Sequence, residues 1–311
     1  MWRQIPDHTT RLALRRLFAA YLAISGSALF FPHRPEAWPL LALVHVVGVL
    51  LLLQPRSIGD VGRSLAERWP RGSAVLADWY ALALMPLLYA ELPLLSGAVH
   101  GGRYFDGWVQ GWELWLFGSR PSQELAMAFP GPVLSEVLHF FYLSYYLIIF
   151  GPPLYLYLSR RITAHQRMVF ALMLTFFGHY LFFVFFPVQG PRYLFPAPGG
   201  ELSQGVMYRL AHAVLEAGSS QGAAFPSSHV GVVVAQTAMA FLVWRRAAPA
   251  LAVASAGLAV GAVYGGFHYA TDAVGGLLMG LALFAAAPWL AMTLGKSGGV
   301  LGPGAPSTTP P

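Results

Sequence analysis

Three short segments hold residues whose types and spacing fit chemistry on phosphorus. Phe225-Pro226-Ser227-Ser228-His229 ends a turn-rich stretch and opens an apolar run, so small hydroxyls and free backbone N–H groups gather where a helix begins. A histidine at that place can donate a proton to a leaving oxygen. A plain helix N-cap beside a satisfied histidine is the competing reading. The stretch Tyr264 to Asp272 places His268 and Asp272 four residues apart, which lets a carboxylate reach an imidazole on one helix face. That contact fixes the tautomer and leaves the other ring nitrogen free to attack. A structural His–Asp pair or a two-ligand metal site reads the same residues differently, although no further ligand set accompanies them. In Phe186 to Tyr193, Gln189, Gly190 and Pro191 lead to Arg192, whose guanidinium can take two phosphate oxygens or snorkel to lipid headgroups.

Positioning these segments falls to a membrane. The chain has 311 residues, 56% hydrophobic and only 10% charged, against roughly 25% charged in a soluble domain. A hydrocarbon core about 30 Å thick needs about 20 apolar residues per helix. Eight runs meet or approach that length, near 12–31, 38–54, 74–96, 133–158, 167–187, 229–244, 248–265 and 269–291. The first is read as a retained span, since it is longer than a signal-peptide core and has no clean cleavage site. With the N-terminus inside, all but five of the 19 basic residues fall on the inner side, among them Arg3, Arg56, Arg63, Arg160, Arg161 and Arg245. Arg34, Arg103, Arg120, Arg192 and Arg209 fall outside. The net charge of +6 is therefore an orientation signal and not a nucleic-acid footprint. The absence of cysteine excludes disulfides and thiolate metal sites.

All three segments thus end at one outward face. Two long outward stretches, 97–132 and 188–228, join the spans. In the first, Phe105, Trp108, Val109, Trp112, Trp115 and Leu116 recur at helical spacing, with Arg103, Asp106, Gln110 and Glu113 on the other face. This pattern predicts an amphipathic helix in the headgroup layer, with simple packing over the bundle as the alternative. Glu91, Glu136, His139 and His179 fall in the outward half and are candidates for a headgroup pocket. Glu136 and His139, one turn apart, can instead pair with each other. Asp78 lies near the inner end and reads as structural. The expected organisation is one integral-membrane catalytic domain over 1–294, followed by a disordered Gly/Pro/Ser/Thr-rich tail over 295–311.

The three segments resemble the motifs of the type 2 phosphatidic acid phosphatase superfamily: Lys-x6-Arg-Pro, Pro-Ser-Gly-His and Ser-Arg-x5-His-x3-Asp. The resemblance implies that His268 is the nucleophile, Asp272 its orienting carboxylate, His229 the leaving-group acid, and Ser227, with Ser228 and Gln189 beside it, part of the phosphate cradle. Arg192 matches the first-motif arginine. Phe185 stands at the motif lysine's place, Tyr193 follows the arginine, Ser228 replaces glycine, and Gly261 and Ala262 stand where Ser-Arg is expected. Two phosphate-binding cations are missing. A monoester carries nearly two negative charges and a diester one, so a site with a single arginine suits a diester.

Within the superfamily, the chain is most similar to the inositol phosphorylceramide synthase branch, over roughly residues 75–290. The Asp106, Phe117-Gly118 and Pro121-Ser122 stretch and the Gly190-Pro191-Arg192 turn carry that likeness. The resemblance implies an all-α polytopic enzyme that moves a phosphorus-containing headgroup from a phospholipid donor to a lipid or small alcohol acceptor through a phosphohistidine. It implies no metal and no organic cofactor. Transfer to water, by a lipid phosphate or polyprenyl diphosphate phosphatase, is the alternative, and a transporter or non-catalytic scaffold a more remote one. The Ala-, Gly- and Arg-rich composition fits a bacterial inner membrane, with both termini cytoplasmic and the site extracytoplasmic.

Overall fold

The computed structural model describes residues 2, 5, 7–53 and 67–296. Arg3, Arg56 and Arg63 of the charge count, and the tail from 297 onward, lie outside the described residues. The described part is all-α. Helices α1 (Asp7–Ser27) and α2 (Trp38–Leu53) pack as a hairpin, and α3 (Pro70–Ala90) passes into α4 (Leu92–His100) across Glu91. The first of the two long stretches expected outside holds α5 (Asp106–Phe117) and α6 (Pro121–Ala128). Next come α7 (Pro132–Leu143) and α8 (Tyr145–Leu158), then α9 (Ile162–Phe185). The second stretch expected outside holds the one-turn α10 (Pro191–Leu194) and α11 (Val206–Gly218). The chain then descends and returns through α12 (Ser228–Val243), α13 (Ala248–Tyr264) and α14 (Ala270–Leu294).

Each expected span has an apolar helix at its place. Thr9–Phe30, Pro70–Ala90, Ile162–Phe185 and Ala270–Leu294 are long and apolar enough to cross a membrane, and α7 with α8 makes a fifth candidate, bent by 41°. The bend falls at Ser144, whose hydroxyl donates to the Phe141 carbonyl within the helix. A side-chain bond to the preceding turn competes with the backbone ladder and bends it. Helices α2, α12 and α13, of 16, 16 and 17 residues, are apolar but shorter than a full crossing.

Helix α9 is apolar on every side, which a helix tolerates only when enclosed. It packs against α1, α12 and α14 and buries Phe170, Phe176, Phe177, Tyr180 and Phe183. Tyr21 of α1 stacks on Phe177 with ring centroids 4.4 Å apart. At the end of the bundle far from the candidate site, Asp78 is buried, takes Arg11 at 2.9 Å and accepts from Gln166 at 3.1 Å. A buried carboxylate needs such partners, and this pair supplies the structural role expected of Asp78.

The amphipathic helix is α5, and its polar face turns toward the bundle. Asp106 and Glu113 are buried, while Trp108 and Trp115 are 65% and 83% exposed. In water that arrangement would be inverted; against lipid, the apolar face belongs outside.

Candidate active site

Two glycines bring the histidine segments together. Gly276 and Gly280 of α14 face α12, and a Cβ at either would collide with the Ser227 or Gly231 carbonyl oxygen. Small residues let membrane helices approach to backbone contact. The starts of α12 and α14 therefore lie side by side, and the Ser227 N–H donates to the Asp272 carbonyl at 2.9 Å. Ser227 caps α12, its hydroxyl oxygen accepting from the Val230 N–H at 3.4 Å, and both Ser227 and Ser228 are buried.

On α14, Asp272 Oδ2 accepts from the Tyr269 N–H at 2.8 Å and lies 3.2 Å from His268 Nδ1. The carboxylate thus closes the helix start as a capping box and holds the imidazole with the same oxygen. Across the gap, the rings of His229 and His268 have centroids 5.5 Å apart. His229 sits between two tyrosines from either side of the Ser144 bend: Tyr145, with centroids 4.2 Å apart, and Tyr142, whose hydroxyl is 3.5 Å from His229 Nε2. His229 Nδ1 and Asp272 Oδ1 are buried without a hydrogen-bond partner.

Arg192 reaches the same place by a separate route. Val188 N–H donates to the Gly222 carbonyl at 3.1 Å, and Ala224 N–H donates to the Val188 carbonyl at 2.9 Å, so the turn before Arg192 is stitched to the stretch leading into Ser227. Gly190 adopts φ of 90°, which L side chains rarely tolerate, and a Cβ there would lie 2.9 Å from that of Ala224. Gln189 is placed through its backbone N–H, bonded to Asp106. The Arg192 guanidinium lies 6.0 Å from the Tyr193 ring centroid, and its Nη1 is buried without a partner. His212, on α11, is held down at about 4 by burial, with His139 and Arg192 adding to the effect. It is a neutral ring beside the cation.

The four candidate pocket residues divide. His139 comes nearest the site: its Nδ1 bonds the Ser135 carbonyl at 2.6 Å, and its ring lies 6.0 Å from His212 and 5.7 Å from Phe267, centroid to centroid. Glu136 accepts from the Met207 and Tyr208 N–H groups at 3.0 and 3.1 Å, closing the start of α11 in place of a pair with His139. His179 bonds the Thr175 carbonyl at 2.7 Å and lies under Gly231, inside the bundle. Glu91 faces His45 of α2 at 3.6 Å, in another part of the molecule. Among the described residues, no three His, Asp or Glu side chains gather as a metal set.

The residues that hold the site in register read in the sequence as the polar face of an amphipathic helix and not as site residues. Asp106 takes the Gln189 and Gly190 N–H groups, each at 2.9 Å, and the Tyr269 hydroxyl at 3.1 Å. Gln110 donates to the same hydroxyl at 3.0 Å. Glu113 accepts from the Ala270 N–H at 2.8 Å, and from the Ser122 hydroxyl and N–H. One face of α5 therefore clamps the Arg192 turn to the start of α14. The signal was the spacing 106, 110, 113, a polar stripe one helical face wide.

With this geometry in place, a family model described as the PAP2 superfamily matches residues 108–286, more than half the chain and inclusive of Arg192, Ser227, His229, His268 and Asp272. No curated protein and no solved structure matches the chain.

Proposed function

The chain belongs to the PAP2 superfamily, and from that premise we propose that it is a lipid phosphotransferase whose reaction runs through His268. The observation that carries this reading is the convergence of the Asp272-held His268 with His229 across 5.5 Å, with Asp106 tying the turn before Arg192 to the same helix start. With Nδ1 engaged by Asp272, His268 Nε2 attacks phosphorus, and the bond from phosphorus to the leaving alcohol breaks as His229 protonates its oxygen. An acceptor hydroxyl then gives its proton to His229 and displaces the histidine, so that the P–N bond breaks and the second ester forms. Arg192 and the N–H groups at the start of α12 bind the non-bridging oxygens. No step in this scheme calls on a metal or organic cofactor.

Water in the acceptor's place makes the same site a phosphatase. The transferase reading draws on the single arginine, since Phe185 and Ala262 stand where two further cations would be, and Arg103 and Arg209 are exposed. It also draws on the likeness of the Asp106 helix and the Gly190-Pro191-Arg192 turn to the inositol phosphotransferase branch, with a phospholipid as donor and a sphingolipid-like or other alcohol as acceptor. In this reading residues 1–294 act as one catalytic unit in a bacterial inner membrane, with the termini cytoplasmic and the histidines at the outer headgroups.

The test is product identification from headgroup-labelled phospholipid, with and without a lipid alcohol. Label appearing on the alcohol, and only when alcohol is present, supports the transferase. Release of water-soluble headgroup phosphate at the same rate without alcohol replaces the transferase with a hydrolase.

A further inference from the structure

A cavity lined by arginines lies at the end of the bundle far from His229 and His268. There the α8–α9 turn, the end of α12 and the lower part of α14 enclose a cavity of about 680 Å³, within the usual range of about 300–1,000 Å³ for small-molecule pockets. Arg160, Arg161, Arg167 and Arg245 all line it, and no acidic side chain does. Apart from Thr163, its other walls are apolar, Leu242 and Phe284 among them. Among the described residues, none of the four arginines forms an ion pair. Arg167 donates to the Ile5 carbonyl, but its Nε is buried without a partner. The start of α9 faces the same space with no side-chain cap at Arg161, and an uncapped helix start favours an anion.

The positive-inside rule accounts for arginines on this side of the bundle. It does not account for four around one cavity whose lining, among the described residues, holds no acid. Apolar walls beside a mouth lined by arginines match an amphiphile better than a free ion.

We propose that this cavity binds the headgroup phosphate of an anionic phospholipid, with its acyl chains along Leu242 and Phe284. The site is independent of the catalytic reading, since none of its residues approaches the histidines. The lipid is a resident of the protein and not its substrate.

Native mass spectrometry of the protein, released from bilayer discs containing equal phosphatidylglycerol and phosphatidylcholine, tests this directly. The wild type should retain phosphatidylglycerol, and Arg160→Gln/Arg161→Gln/Arg245→Gln should retain about tenfold less or lower, given several lost charge-assisted contacts. Arg245→Gln alone, at an exposed side chain, should fold normally and show a smaller loss in the same direction. Millimolar inorganic phosphate should not displace the lipid; displacement would identify a free-anion site and overturn the lipid assignment. Equal retention of the two lipids, or unchanged retention in folded variants, would overturn the site itself.

Discussion

The Asp106 carboxylate lies 2.9 Å from the backbone nitrogen of Gly190, although 84 residues separate them in sequence. That one bond decides where Arg192 can point. Gly190 leads directly into Pro191 and Arg192, and the same carboxylate holds Tyr269, the residue after His268. A single buried charge therefore spaces the guanidinium from the nucleophile.

Asp106→Asn keeps the size but turns an amide N–H toward groups that are themselves donors. Losing a hydrogen bond to a charged acceptor costs about 1.5–3 kcal/mol. Turnover should fall by about 10- to 100-fold with KM for the donor raised, because Arg192 loses its register. Steady-state kinetics on purified Asp106→Asn checks this, and unchanged kcat and KM would remove Asp106 from the positioning machinery.

The spans and the three motif segments were legible because hydropathy and the spacing of His268 and Asp272 are local properties of the chain. The clamp was not. Asp106, Gln110 and Glu113 form the polar stripe of a helix rich in tryptophan, and such a stripe ordinarily faces water. Only the membrane reverses it, leaving Trp108 and Trp115 outside and the carboxylates inside. Glu136 escaped for another reason: its partners are the backbone N–H groups of Met207 and Tyr208, which carry no residue-type signal. Glu91 meets His45 through a pairing of helices that no sequence spacing reports.

His268→Ala should abolish turnover and His229→Ala should reduce it by about 10²- to 10⁴-fold, the usual cost of a lost acid or base. Both rings sit at a polar junction and contribute little to the packed interior around α9, so yield and melting temperature should stay near wild type. Trapping with labelled donor separates the two roles. His229→Ala should still accumulate a phosphoenzyme with a good leaving group, whereas His268→Ala should form none. A phosphoenzyme in His268→Ala would move the nucleophile elsewhere.

Gly276→Ala tests the contact that joins the two motifs. Its added methyl meets the Ser227 carbonyl, which is backbone and cannot rotate away. Overpacking of this kind costs about 1–3 kcal/mol, so the melting temperature should drop, and activity should fall with it as His229 and His268 separate. Gly107→Ala in α5 meets nothing within 4 Å and should be neutral or slightly stabilising. Equal melting temperatures for the two variants would count against the close packing of α12 on α14.

Sidedness can be read in a chain that has no native thiol. Gln204 lies exposed near the start of α11 and Ser159 exposed in the α8–α9 turn, at opposite ends of the bundle. In intact cells, an impermeant maleimide should label Gln204→Cys and leave Ser159→Cys unlabelled until the membrane is opened. The reverse pattern would place the histidines at the cytoplasmic face.

The charge on the donor gives the last expectation. Arg192 is tied to the His268 segment through Asp106, Ala262 contributes its carbonyl to the His268 turn, and the Phe185 carbonyl accepts from His100. A diester's single negative charge has a partner there. A monoester's second charge has none, and holding an unpaired charge in a partly desolvated place costs on the order of a few kcal/mol. Turnover of a phosphodiester phospholipid should therefore exceed that of phosphatidic acid or a polyprenyl diphosphate by roughly 100-fold or more under one detergent condition. Ala262→Arg, which restores one absent cation, should narrow that ratio by raising monoester turnover. Faster phosphate release from the monoester by the wild type would show that the charge is met by a group other than Arg192, and would favour the phosphatase over the transferase.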